Sequence, residues 1–167
     1  LPGLRAGAGE VMVDRQRQME DAMGRWCQEG YQCMVAVMDD GDDRALTRCL
    51  STLPQPIVVD LCLRLSRVMA AMPPWWAGAK GGALAVKGGG GTDEMAREVG
   101  EALGGDVVMA VGVATGHQSV YIRGSVMEVV YLAMRTVISM ERSMAEARRG
   151  GEGPPTGPGP IGHYSLN

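Results

Sequence analysis

Side chains able to do chemistry are few in this chain, and their spacing is unhelpful to catalysis. His117 sits in a turn segment and His163 in a Gly/Pro-rich stretch, and neither has a Cys, Asp or Glu at ligand or dyad spacing. Cys27, Cys33, Cys49 and Cys62 form no Cys-x-x-Cys and are too irregularly spaced for a zinc knuckle. With no run of eighteen or more apolar residues and no signal-like segment, they read as reduced thiols packed as small apolar groups in a cytoplasmic-type protein. A cysteine-histidine nucleophile would need the fold to carry His117 to one of them. Asp39, Asp40, Asp42 and Asp43 crowd one turn, but without the alternating order and closing Glu of a calcium loop. The expectation is no catalytic residues, no metal and no cofactor.

Four glycines, Gly88 to Gly91, precede a helix start at Thr92. Backbone amides at a helix N-terminus attract anions, so phosphate or nucleotide binding there is one alternative. Against it, Lys87 comes before the glycines and no Gly-Lys-Thr follows. Asp93 and Glu94 also fill the first turn and repel phosphate.

These residues must be positioned by a chain of 167 residues, enough for one domain with a real core. A formal charge of -3 provides no global field toward nucleic acid or an anionic membrane. The composition is skewed: no Phe, 13 Met and 25 Gly. It suits a gene biased toward G-rich codons, as in a high-GC genome or a viral gene overlapping another frame. Met, Val and Leu must fill the core. The chain opens on Leu1, consistent with processing or trimming.

Residues 1–9 are Gly-rich and expected to be loose. From Glu10 to Glu29 the spacing of Met12, Met19, Met23 and Trp26 predicts a helix stopped by Gly30. Tyr31 to Met38 is apolar on both alternating faces, as in a strand covered on two sides. The Asp-Gly turn then predicts a hairpin to Ala45–Leu50. Ile57, Leu61, Leu65, Val68 and Met72 predict a one-faced helix ending at Pro73 and Pro74.

A short strand is expected at Ala83 to Lys87, and a helix from Thr92 to Leu103 with Met95 and Val99 inward. Val107 to Val113 and Gln118 to Arg123 predict a second hairpin. Ala110 and Gly112 leave one face of it bare for a close neighbour. Ser125 and Glu128 make a capping box for a long helix to Arg149. Its core stripe is expected at Val126, Val130, Ala133, Val137, Met140 and Met144, widened by Met127, Met134 and Ile138, and packed across the sheet; coiled-coil dimerisation is the lesser expectation. Residues 150–167 are rich in Gly and Pro and predict a disordered tail.

The fold class is therefore α+β: an antiparallel sheet of about five strands packed by three to four amphipathic helices in a single domain, residues 10–149. Functionally this suits a non-catalytic interaction or assembly module that binds protein partners and forms a homodimer, with no membrane association. Trp75 and Trp76, adjacent in a loop, cannot both enter one core pocket, so one is available to a partner. The element order resembles the roadblock/longin adaptor plan, which implies protein–protein assembly.

The run from Trp75 through the hairpin HQSVYIRGS to the capped helix is similar to the tombusvirus silencing suppressors. That resemblance implies double-stranded RNA as an alternative partner. Trp75 and Trp76 would stack on duplex ends, with Lys80, Lys87 and Arg123 on phosphate and Tyr121 on the same strand face as Arg123. The scarcity of basic groups opposes it.

Overall fold

The computed structural model describes residues 8–38, 47–72, 91–102, 105–151 and 161–166. The elements, in chain order, are α1 (Ala8–Gln28), β1 (Gln32–Met38), β2 (Arg48–Ser51), α2 (Gln55–Ala70), α3 (Thr92–Ala102), β3 (Val107–Ala114), β4 (His117–Arg123), α4 (Val126–Arg149) and β5 (Gly162–Ser165). All strand pairings are antiparallel, and the sheet runs β4-β3-β1-β2-β5. This is the α+β architecture expected, four helices on a five-stranded sheet.

Strand β1 lies at the centre, which explains its apolar residues on both faces: every residue from Cys33 to Val37 is buried. Met34 and Ala36 enter one core with Cys49, Val107, Met109, Val111, Val120 and Ile122, under α2 and α4. Cys33, Val35 and Val37 enter the other with Leu50, Val108, Ala110 and Tyr121, under α1 and α3. Methionine fills both, with Met19, Met23, Met34, Met69, Met95, Met109 and Met140 fully buried.

Local signals account for the boundaries. Gly30, at φ +91°, ends α1, where Tyr31 N–H donates to the Trp26 carbonyl at 3.0 Å. Glu128 N–H donates to Ser125 Oγ at 3.3 Å and Ser125 N–H to Glu128 Oε1 at 3.1 Å, closing the capping box of α4. Gly116, at φ +76°, makes the tight turn between β3 and β4.

Two expectations differ. The unstructured stretch expected after Gly150 does not extend to residues 162–165, which pair with β2, and Leu166 is buried with its N–H donating to the Thr47 carbonyl at 3.1 Å. The expected strand at Ala83 to Lys87 and the acidic hairpin turn lie outside the described residues. The core stripes of α2 and α4 match the expected ones in part: Leu61 and Leu65 of α2 and Ala133, Val137 and Met140 of α4 are buried as expected, while further buried positions lie beside them. In α2 the buried residues are Val58, Leu61, Cys62, Leu65 and Met69, with Ile57 and Val68 exposed. In α4 they are Val129, Leu132, Ala133, Thr136, Val137 and Met140. No helix among the described residues is long and apolar enough to cross a membrane.

Candidate interaction surface

Helix α4 carries a second row of large apolar side chains on the outside. Met127 is 76% exposed, Tyr131 54%, Met134 39% and Ile138 46%. Their spacing of four, three and four residues places them along one line of the helix, opposite the buried Leu132, Thr136 and Met140. Single exposed apolar residues are ordinary, whereas a continuous row of four is not.

Neighbouring elements fix this row as a ridge. Gln55 Nε2, at the start of α2, donates to Ser143 Oγ at 2.7 Å and to Tyr164 Oη at 3.3 Å. Arg135 Nε donates to the Leu166 carbonyl at 2.9 Å and Ser139 Oγ to the Ser165 carbonyl at 2.8 Å, so the C-terminal strand is laced to one flank of α4. Ile57 and Val68, 45% and 53% exposed, add apolar surface on α2, which packs beside α4.

Several other chemistry-bearing groups among the described residues bond to one another across elements, while His117 is exposed at the start of β4. On the far side of the sheet, Glu98 receives Arg25 Nη2 at 2.7 Å and Trp26 Nε1 at 2.9 Å, tying α1 to α3. Ser119 Oγ donates to Asp93 and shares a 2.6 Å bond with Thr92 Oγ1, seating the first turn of α3 on β4. Asp93 in the first turn of α3 is thereby held against β4; of the four glycines before that helix only Gly91 is described.

His163 stands opposite Leu50 in the β2–β5 register and meets Glu20 Oε1 at 3.2 Å on the α1 side. Its neighbour across the pleat, Cys49, points into the opposite core, so the two do not share a face. Cys33, Cys49 and Cys62 are buried free thiols. Burial pushes Cys62 up to about 12 and Cys33 likewise to about 12, nearby Cys27 adding to the latter and the Thr52 hydroxyl opposing it. Burial raises Cys49 as well. At neutral pH such thiols are protonated and poor nucleophiles. Cys27 is half-buried and free. No group of three or more His, Cys, Asp or Glu able to hold a metal occurs among the described residues.

Of the side chains nominated from sequence, Trp75, Trp76, Lys80 and Lys87 lie outside the described residues. Tyr121 is 3% exposed beneath α3. Arg123 is half-buried, its Nη2 donating to Tyr121 Oη at 3.0 Å and its Nη1 to the Gly105 carbonyl at 3.5 Å. Both face the α1/α3 side, away from the α4 row.

The row itself was hidden by a misassignment. Met127, Met134 and Ile138 read as a widening of the core stripe, and Tyr131 falls outside it. A sharper signal was present, because apolar residues on nearly every side of the first three turns exceed what one sheet can cover. No family model, curated protein or solved structure matches this chain.

Proposed function

We propose that this protein is a non-catalytic interaction module that binds protein through the outer face of α4. The observation that carries the reading is the row Met127, Tyr131, Met134 and Ile138, four large apolar side chains held in water on a capped, well-anchored helix. Helical recognition of this kind uses anchors spaced three and four residues apart, and Met and Tyr are favoured in such contacts because one adapts and the other offers a large rigid ring. The reduced, buried thiols suit a reducing compartment such as the cytoplasm.

The test replaces Tyr131 with a photo-crosslinking phenylalanine analogue in the cells the protein comes from, with the exposed Arg17 of α1 as the control position. Cross-links to protein from position 131 and not from 17 are expected. Cross-links only within the same chain, only to nucleic acid, or equally from both positions overturn the reading.

A further inference from the structure

We propose that the partner on this face is a second copy of the same chain, docked with α4 antiparallel to α4 about a twofold axis between Tyr131 and Met134. The inference rests on the reading of the α4 row as an interaction surface. It names the occupant from three properties of that surface.

The first is spacing. A row read four, three, four is the same row read backwards, so an antiparallel copy brings Met127 against the other protomer's Ile138 and Tyr131 against its Met134. A twofold contact needs a self-complementary patch of this kind.

The second is charge. Glu128 and Arg135 are seven residues apart and share one flank of the row. Reversing one helix sets each Glu128 beside the other protomer's Arg135, twice per dimer. In a parallel pairing the same flank would meet the flank of the half-buried Val130 and the charges would lack partners. Both groups are already steered by the fold: Glu128 Oε1 by Ser125 N–H, and Arg135 by its Nε bond to the Leu166 carbonyl. The carboxylate keeps a second oxygen, and the guanidinium its terminal N–H groups, for the partner.

The third is area. At 54% exposure Tyr131 offers roughly 100 Å², half of what an aromatic side chain buries at most. The four residues from two protomers then supply on the order of 800 Å². Exposed Val68 and Ile57 of the neighbouring α2 add apolar surface toward the ~1,200 Å² at the lower limit of specific interfaces. An interface at that lower limit is the size of weak, transient associations, so the dimer is a reversible one.

Sedimentation equilibrium of the full chain over roughly a hundredfold concentration range through the micromolar regime reads this directly. Wild type is expected to pass from monomer to dimer, and Tyr131→Lys to remain monomeric. Glu128→Arg and Arg135→Glu should each weaken association about tenfold, and the double variant should return to within about threefold of wild type. Loss of the cap in Glu128→Arg lowers helix stability but cannot be repaired by Arg135→Glu, so rescue reports the contact between protomers; far-UV circular dichroism confirms that each variant is folded. A wild type that is monomeric throughout, a dimer indifferent to Tyr131→Lys, or a double variant without rescue overturns the proposal. If the wild type is monomeric while position 131 cross-links to a different protein, only the choice of a second copy falls. If position 131 cross-links to no protein, both readings fall.

Discussion

The two helical layers of this protein solve the same problem in opposite ways. Helices α1 and α3 lie on their face of the sheet with little to spare. A Cβ placed on Gly112 would come within 2.8 Å of the Thr92 carbonyl oxygen, and one on Gly100 within 2.4 Å of Tyr121 Cδ1. Polar side chains stitch that layer shut, Glu98 to Arg25 and Trp26, Ser119 to Thr92 and Asp93. Helices α2 and α4 instead pack on a larger apolar core through branched and sulfur-bearing side chains and carry surplus apolar residues outward. A layer that turns its specific contacts inward positions the sheet, and one with apolar residues to spare has something to offer outside.

The contrast can be broken first at the core of the α2/α4 layer. Leu132→Ala empties a fully buried site, and urea unfolding should report a loss of about 2–5 kcal/mol. On the other layer, Gly112→Val must push α3 off β3 and should cost about 1–3 kcal/mol. Gly24→Ala in α1, with nothing within 4 Å of its Cβ, should instead stabilise by about 0.5–1 kcal/mol. If Gly112→Val is as harmless as Gly24→Ala, the close seating of α3 is wrong.

Both layers hold a buried thiol, Cys33 on one and Cys62 on the other, with folded pKa values raised from 9.0 to about 12. A raised thiol pKa means that the unfolded chain ionises first as pH rises. Stability from these groups is therefore intact below about pH 9 and declines between there and about pH 12. Unfolding free energies measured from neutral pH upward should show that fall, and Cys33→Ser with Cys62→Ser should make it shallower, the buried Cys49 still contributing. At pH 8, a thiol reagent should label Cys27 well before the three buried cysteines.

Ser125→Ala removes the side-chain cap of α4 and should cost about 1 kcal/mol. The smallest effect sharpens the comparison most. Tyr131→Ser and Met127→Ser should change unfolding free energy by no more than about 0.5 kcal/mol at concentrations where the protein is monomeric. A much larger loss would mean that those side chains belong to the core layer after all.

Much of the fold was legible because its signals are local. The capping box at Ser125, the stop at Gly30, and the two-faced apolar run of β1 each require no knowledge of the rest of the chain. The bare face at Gly112 was also legible, and α3 is the close neighbour that uses it. What failed was rotation and distance. Both α2 and α4 carry more apolar residues than one face holds, so periodicity alone could not choose between adjacent stripes, and the row at Tyr131 was counted partly as core. The fifth strand was missed because Gly162 to Ser165 has no strand pattern of its own and is recruited by the open edge of β2. Tyr121 and Arg123 alternate outward from Val120 and Ile122 as read, but outward from one core there means inward to the other.

That recruitment has a kinetic side. Arg48 finds its strand partner in Ser165, at the far end of the described chain. The edge of β2 stays open during synthesis until Gly162 to Ser165, which follow the other described strands, have been made. Until then its unpaired amides and carbonyls are a template for any other extended segment nearby. Closing so long a loop is slow compared with forming the β3–β4 hairpin, so β5 should arrive after that hairpin. With it comes the lacing of Leu166 to Arg135, which means that α4 acquires its finished flank only when the sheet is complete.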